Sequence, residues 1–189
     1  MRLFIAANLP PAIRDAVYAD AAPLRAASTG IRWVSSAALH VTLKFLGDQD
    51  DRLVGDLRHA LETVAARHHR LEVATTHVGA FPNFRRPRVV WVGMTEEKAL
   101  QALVRDIDRS LAPLGIAPES RAFQAHLTLG RVKGEMKPAE ATALAAAADT
   151  RLASRTFAVQ TVDLMRSELG PGGSRYSILA AVPLHARGT

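Results

Sequence analysis

The sequence contains no cysteine among its 189 residues. This absence excludes disulfide bonds, thiolate zinc sites and cysteine nucleophiles, and it gives no reason to expect an oxidising compartment. Long apolar runs are missing as well. The run near the N-terminus covers only residues 3–7, which is too short for a signal peptide, and no later stretch approaches the ~20 apolar residues that span a bilayer. We therefore expect a soluble, cytoplasmic protein with no membrane contact.

Short signatures of several common catalytic sites are also absent. The chain has no G-x-S-x-G for a serine hydrolase, no G-x-x-x-x-G-K-[ST] for a nucleoside triphosphate and no H-E-x-x-H for zinc. Together with the lack of cysteine, these absences lead us to expect neither a metal ion nor a cofactor.

The sequence does contain enough hydrophobic residues to build a core, 48% of the chain, and it carries a formal net charge of +6. A positive charge favours a polyanionic partner, with nucleic acid as the first candidate. Charge alone leaves a second explanation open, because enrichment in arginine and alanine can also reflect the base composition of a genome.

Residues 40–47, HVTLKFLG, have the alternation of a β-strand with one buried face. Successive side chains of a strand point to opposite faces. His40, Thr42 and Lys44 are therefore expected on one face. The apolar residues are expected on the other face: Val41, Leu43 and Phe45.

The same pattern occurs again 86 residues later (126 − 40), where residues 126–131 read HLTLGR. Here His126 and Thr128 are expected on one face of a strand and the two leucines on the other. A single H-x-T-L tetrad is typical of an ordinary half-exposed strand. Two tetrads in corresponding halves of a chain indicate a site.

The secondary-structure pattern around the tetrads repeats in the same order. Helices are predicted over 11–26 with a break at Pro23, 51–69, 96–114 and 138–149, and strands over 3–7, 31–34, 40–47, 71–81, 88–94, 126–131, 155–165 and 175–182. Each half, 11–94 and 96–182, then reads helix, histidine strand, helix, strand, strand. We expect one domain over residues 1–189, with an internal duplication and two lobes related by a pseudo-twofold axis.

Two histidines and two threonines around one cleft suit in-line displacement at phosphorus. Imidazole titrates near pH 6.5, so one histidine can act as general acid while the other acts as general base. A threonine two residues along the strand lies ~7 Å away on the same face and can donate a hydrogen bond to an anionic oxygen. Zinc is the poorer explanation, because two histidines usually need a third protein ligand.

Several longer segments surround the tetrads: RLFIAANLP, LHVTLKFLG, GAFPNFRRPRVVWVGM, AHLTLGR and RSELGPGGSRYSIL. The paired tetrads resemble those of the two-histidine (2H) phosphoesterase superfamily. With these flanking segments, the chain resembles the RNA 2′,3′-cyclic phosphodiesterase family, first named 2′-5′ RNA ligases, from residue 2 to about residue 182.

The resemblance implies an α+β, bilobal fold with antiparallel sheets facing a central cleft and helices outside. It implies that His40 is the proton donor, that His126 is the proton acceptor, and that Thr42 and Thr128 bind the phosphoryl oxygens. The implied reaction opens a 2′,3′-cyclic phosphate at an RNA end to a 2′-phosphate without a metal. Fragments of tRNA and small nucleotides are possible substrates, and we expect a monomer.

Basic residues beside the tetrads are candidates for RNA contacts. Lys44 shares the predicted face of His40. Arg131 lies opposite His126 by strict alternation, but Gly130 at the strand end can disturb the alternation and bring the arginine into the cleft.

The loop 82–88, PNFRRPR, interleaves aromatic and basic residues. Aromatic rings stack on bases and guanidinium groups bind phosphates, so Phe84, Arg85 and Arg86 are predicted to contact single-stranded RNA. The alternative is an ordinary basic loop with Phe81 turned into the core. Residues 170–173, GPGG, are predicted to form a mobile loop near the cleft.

Three activities remain open once this resemblance is considered. The first is hydrolysis of the cyclic phosphate, and the second is the reverse chemistry, ligation to a 5′-hydroxyl with formation of a 2′-5′ bond. Water outcompetes a dilute 5′-hydroxyl unless that end is positioned, which favours hydrolysis. The third is RNA binding without catalysis, which the two intact tetrads disfavour.

Overall fold

A computed structural model of the protein describes residues 1–150, 152–170 and 173–186. It contains both strands and helices, interspersed along the chain. The strands are β1 (Arg2–Asn8), β2 (Ile31–Trp33), β3 (His40–Asp48), β4 (Leu71–Phe81), β5 (Val89–Met94), β6 (His126–Val132), β7 (Thr156–Val159), β8 (Thr161–Gly170) and β9 (Gly173–Pro183). The α-helices are α1 (Pro11–Asp20), α2 (Ala22–Ala27), α3 (Val54–Ala65), α4 (Glu97–Leu111) and α5 (Pro138–Asp149).

Antiparallel pairing joins the strands in the order β7-β4-β5-β6-β3-β1-β8-β9, and β2 pairs with β6. The two histidine strands, β6 and β3, meet at the centre through the pair Val41 and Leu127. They divide the sheet into two lobes. The His40 lobe contains β3, β1, β8 and β9, and the His126 lobe contains β6, β5, β4 and β7. The predicted α+β, bilobal fold is confirmed.

Each lobe takes strands from both halves of the chain. In the His40 lobe β1 pairs with both β3 and β8, and in the His126 lobe β5 pairs with both β6 and β4. β8 therefore comes from the opposite half to β3, since it follows α5. β4 and β5 both come from the opposite half to β6, since they lie between α3 and α4. The lobes do not coincide with residues 11–94 and 96–182. An internal duplication with those approximate limits stays a prediction.

The strand predicted over 155–165 is wrong in one respect, because the structure has two strands there. β7 pairs with β4 in the His126 lobe, whereas β8 pairs with β1 in the His40 lobe. The chain changes lobes at Gln160, between the two strands. Apolar alternation continues on both sides of this residue, so the pattern by itself predicted one long strand.

The helix predicted over 51–69 is shorter than expected. It starts with a 3₁₀ turn, Asp51–Leu53, where the Asp50 carboxylate accepts a hydrogen bond from the backbone N–H of Arg52 at 2.9 Å. The α-helix ends at Ala65. Beyond it, the His68 carbonyl accepts from the backbone N–H of His185 at 3.0 Å, which ties the chain to the end of β9.

The hydrophobic core lies between the helices and the face of the sheet that points away from the histidines. α4 buries the apolar stripe predicted from its sequence: Leu100, Leu103, Val104, Ile107 and Leu111. α3 packs on α4 and on β8 and β9, and α5 packs on α2 and β4. Among the described residues, none of the helices has the length and apolar character of a bilayer-spanning segment. Of the loop predicted over 170–173, residues 171–172 lie outside the described residues.

Candidate active site

The two tetrads lie side by side at the junction of the lobes. Val41 and Leu127 are fully buried on the core face, so their neighbours along each strand point to the other face. Extending the antiparallel register by one residue in each direction sets His40 beside Thr128 and Thr42 beside His126. The structure thus brings together two histidine–threonine pairs that lie 86 residues apart in the sequence (126 − 40), and all four side chains are half-buried.

Each histidine ring is oriented by a contact with the backbone carbonyl two residues earlier in the chain. Nδ1 of His40 lies 2.8 Å from the Ala38 carbonyl oxygen, and Nδ1 of His126 lies 2.7 Å from the Gln124 carbonyl oxygen. A carbonyl oxygen only accepts, so in each ring Nδ1–H is the donor and Nε2 is left for proton transfer. Nε2 of His40 lies 3.1 Å from the Thr42 hydroxyl.

The surroundings lower the pKa of both histidines. Burial is the main cause for His40; the positive charges of Arg131 and His126 lower its pKa further, and the hydrogen bond to Ala38 opposes the shift. For His126 burial again lowers the pKa most, Arg131 adds to the effect and the bond to Gln124 opposes it. Both rings therefore favour the neutral state when no anion is bound.

A β-bulge occurs at the leucine that ends each tetrad. In the β1–β3 pairing, Ile5 faces Lys44 and Ala6 faces Thr42, which leaves Leu43 as the extra residue. In the β5–β6 pairing the residue skipped is Leu129. An extra residue turns every later side chain to the opposite face, so the alternation that predicts the tetrads fails immediately after them.

The bulge overturns the prediction for Lys44. Its side chain does not share the face of His40 but is buried, 4% exposed, where its ammonium donates to the Asp108 carboxylate and, at 2.8 Å, to the Ala117 carbonyl. A buried and paired ammonium cannot bind RNA, so this predicted contact is corrected. Phe45, which alternation placed in the core, is 61% exposed.

The same shift brings Arg131 to the histidine face. Arg131 is exposed, and its charge is close enough to lower the pKa of both His40 and His126. The disturbance of alternation that was expected at Gly130 occurs one residue earlier, at Leu129. In the His40 lobe the corresponding position is occupied by Phe45, which lies across the strand pair from Phe4.

Each histidine also lies against aromatic rings, which the sequence did not reveal. In the His40 lobe the imidazole lies 5.0 Å from the Phe4 ring and 5.1 Å from the Tyr176 ring. In the His126 lobe it lies 5.1 Å from Phe81 and 6.1 Å from Trp91. These residues come from other strands. Their own alternation predicted strands, but only the strand order shows which ring meets which histidine.

A glycine makes room for one of these rings. A Cβ atom on Gly79 would lie 2.2 Å from Cζ2 of Trp91, which faces it across the β4–β5 pair. Glycine therefore lets the indole lie over β4, beside Phe81, with ring centroids 5.0 Å apart.

The loop 82–88 is stabilised by the side chain of Asn83. Asn83 Oδ1 accepts from the backbone N–H groups of Arg85 and Arg86 at 3.0 and 3.2 Å, and both arginines are exposed. The ring of Phe84 is half-buried and packs against the core, so the stacking of a base on it stays a prediction. The aromatic ring of this segment that lies beside His126 is that of Phe81.

A pocket of about 290 Å³ opens beside His40 and is lined by Asn8, Arg14, Met165, Tyr176 and Ile178, among others. No cluster of three or more histidine, cysteine, aspartate or glutamate side chains suited to a metal ion occurs in the part of the chain that the structure describes. The chemical groups at the centre are thus imidazole, hydroxyl and guanidinium.

The family of the chain follows from comparison with known sequences. The sequence profile of LigT-like phosphoesterases matches the chain twice, over residues 8–91 and 92–176. The chain belongs to this family. Each match contains one H-x-T-L tetrad.

Curated proteins and solved structures agree with the family. The chain is 31% identical over 177 residues to an RNA 2′,3′-cyclic phosphodiesterase of Methanothermobacter thermautotrophicus, covering 94% of this chain and 95% of the relative. It is 37% identical to a protein of the same name from Archaeoglobus fulgidus, covering 70% and 73%. Its fold is similar to crystal structures of Thermus thermophilus TT0787 (TM-score 0.77, 26% identity, full coverage of both chains) and of E. coli LigT complexed with 3′-AMP (0.73, 25%, 97% of both).

Proposed function

We propose that this LigT-like phosphoesterase is an RNA 2′,3′-cyclic phosphodiesterase that opens the cyclic phosphate to a 2′-phosphate without a metal ion. One observation carries the proposal: two histidines from adjoining strands each have Nδ1–H bonded to a carbonyl, which leaves Nε2 for proton transfer. The names of the relatives from M. thermautotrophicus and A. fulgidus support the substrate, and the 3′-AMP bound by E. coli LigT supports a nucleotide site.

In this mechanism water attacks phosphorus opposite the 3′-oxygen, and the two histidines act on opposite sides. Nε2 of His126 takes a proton from the attacking water, while Nε2–H of His40 donates its proton to the departing 3′-oxygen. The P–O3′ bond breaks, and the products are a 3′-hydroxyl and a 2′-phosphate. Solvent then restores the two starting protonation states.

Neighbouring side chains stabilise the phosphoryl group. The hydroxyls of Thr42 and Thr128 donate to its non-bridging oxygens, and the guanidinium of Arg131 balances the charge that develops there. Arg131 also favours neutral His126, the state that a base needs.

His40 must hold a proton to act as the acid, although burial lowers its pKa. The bound phosphodiester supplies the compensation, because a negative charge beside an imidazolium raises the pKa. We therefore infer that the substrate itself helps to protonate the acid.

Ligation is the second candidate, because the same site run in reverse joins a 5′-hydroxyl to the cyclic phosphate. The entering hydroxyl would lie on the His126 side, and the exposed Arg85 and Arg86 follow the β4 strand of that lobe. RNA binding without catalysis is disfavoured by the two intact tetrads.

The test is incubation of the protein, after exhaustive chelation, with an oligoribonucleotide that ends in a 2′,3′-cyclic phosphate. We expect a 2′-phosphate product, identified by phosphorus NMR, and none from the variant H40A/H126A. Adding an oligonucleotide with a 5′-hydroxyl measures ligation in the same reaction. A 3′-phosphate product, or activity that is lost on chelation and restored by zinc or magnesium, would contradict the proposal.

A further inference from the structure

We propose that the pocket beside His40 binds the terminal nucleoside of the substrate and that the ring of Tyr176 is the surface on which its base stacks. This inference rests on the proposed function and names the place of the sugar and base in it. The pocket measures about 290 Å³, at the small end of the ~300–1,000 Å³ typical of ligand sites, which suits a single nucleoside.

The direction of attack decides which lobe receives the nucleoside. In an in-line displacement the leaving oxygen lies opposite the attacking water. The leaving 3′-oxygen stays attached to the ribose, so the ribose lies on the side of the acid, His40. The base is attached to the same ribose and extends beyond it along the His40 lobe, where the pocket lies.

Tyr176 has the properties of a stacking platform. Its ring meets His40 at 85° and Phe4 at 73°, with centroids 5.1 and 5.2 Å away, so neither neighbour lies flat against it. The residue is 38% exposed, and Ile178, two residues along the same face of β9, is 55% exposed. Both line the pocket, which gives a planar base an aromatic and an aliphatic contact.

Polar groups at the pocket suit the other parts of a nucleotide. Nδ2 of Asn8 donates to the Asp163 carboxylate at 2.6 Å, which fixes the amide and leaves its oxygen as an acceptor for an N–H or O–H of the nucleoside. Arg14 donates to the Ala37 carbonyl at 2.9 Å and places a positive charge at the wall of the pocket. The lining therefore combines an aromatic face, an acceptor and a cation.

The test compares two substrates that differ only in the base. One is adenosine 2′,3′-cyclic phosphate, and the other is the 2,3-cyclic phosphate of 1,4-anhydro-D-ribitol, which keeps the ribose ring and its 5-hydroxymethyl group and lacks the base. We expect Tyr176→Ala to lower kcat/KM for the adenosine substrate about 5- to 150-fold, the range measured when a stacking aromatic is removed. For the base-free substrate we expect a change of less than about twofold, because base stacking contributes nothing there.

Two further variants serve as controls. Tyr176→Phe keeps the ring and is expected to keep the preference for adenosine. Phe45→Ala removes an exposed aromatic of the histidine face that does not line the pocket, and it is expected to leave the ratio of the two substrates unchanged.

The outcomes separate this inference from the proposed function. An equal loss on both substrates means that Tyr176 only supports His40, and no loss on either means that the base lies elsewhere; both results overturn the inference. If the unmodified protein opens neither substrate, the proposed function fails. Calorimetric binding of adenosine 2′-monophosphate then tests whether the pocket binds the nucleoside. Weaker binding by Tyr176→Ala than by the unmodified protein supports the inference, and equal binding overturns it.

Discussion

The His40 lobe and the His126 lobe each contain a tetrad, a histidine ring bonded to a carbonyl two residues earlier and a bulge at the leucine that ends the tetrad, yet the residues beside these features differ. After the bulge the His40 lobe has Lys44 and Phe45, whereas the His126 lobe has Gly130 and Arg131. Across from the threonines lie Ala6 in one lobe and Trp91 in the other.

The difference shows how a symmetric framework can support an asymmetric reaction. The shared features supply two equivalent imidazoles, but hydrolysis needs one acid and one base. The guanidinium that lowers the pKa of both histidines, that of Arg131, comes from the His126 lobe, and the pocket lies in the His40 lobe. Asymmetry therefore arises at the positions around the tetrads and not within them.

The largest expected effect comes from removing either histidine. His40→Ala and His126→Ala should each lower kcat about 10²- to 10⁴-fold, and the double variant should lose little more than the worse single variant. An activated aryl phosphodiester separates the roles, because its departing oxygen needs little protonation. That substrate should largely rescue His40→Ala and not His126→Ala; rescue of His126→Ala alone would reverse the assignment.

The next effect is on stability and concerns Lys44, whose counterpart is Gly130. Lys44→Met leaves the Asp108 carboxylate without its partner, 18% exposed, and should lower the free energy of unfolding by about 3 kcal/mol. Denaturant unfolding measures the change, and K44M/D108L, which removes both charges, should recover part of it. Weaker RNA binding at unchanged stability would instead restore Lys44 as an RNA contact.

These two predictions show which parts of the site could be predicted from the sequence and which could not. The two histidines and two threonines of the tetrads were predicted correctly as one cluster, because they precede the bulges. Lys44 and Phe45 were assigned to the wrong faces, since nothing in the sequence announces an extra residue at Leu43.

Contacts between side chains of strands that lie far apart in the sequence could not be predicted either. Tyr176 lies 136 residues from His40 (176 − 40), and their contact depends on β1 and β8 lying between their strands. The strand pattern over 155–165 contained no sign that the chain changes lobes at Gln160, because the partners of β7 and β8 are set by the whole sheet.

Replacing Arg131 tests whether the difference between the two lobes affects the chemical step. Arg131→Ala removes the guanidinium that acts on both histidines and should lower kcat/KM about 10- to 100-fold, as expected for a hydrogen bond to a charged group. It should also raise the pKa of both histidines, which NMR titration of the imidazole signals would detect. Phe45→Ala, at the corresponding position, should change neither quantity. Unchanged titration of both rings in Arg131→Ala would place the guanidinium away from the site.

The pH profile tests whether the two rings act as a pair. The reaction needs neutral His126 and protonated His40, so kcat/KM should be bell-shaped, with apparent pKa values that belong to the pair. Both pKa values are lowered from 6.5 in the free protein, so the optimum of kcat/KM should lie below pH 6.5. Bound phosphate raises the pKa values, so the optimum of kcat should lie higher. A kcat optimum equal to or below that of kcat/KM would contradict this account.

The smallest expected effect concerns the exposed arginines of the 82–88 loop in the His126 lobe. If they contact RNA, the affinity for a single-stranded oligonucleotide should fall with salt, because each neutralised phosphate releases counterions. Replacing Arg85, Arg86 and Arg88 with alanine should reduce the slope of log K against log salt by up to about 2, at roughly 0.7 per contact. The matched control removes three exposed arginines of α3 and α4, Arg58, Arg105 and Arg109, on the helical side of the molecule. An equal reduction in both triple variants would mean that RNA responds to net charge alone, and an unchanged slope in the loop variant would make the loop purely structural.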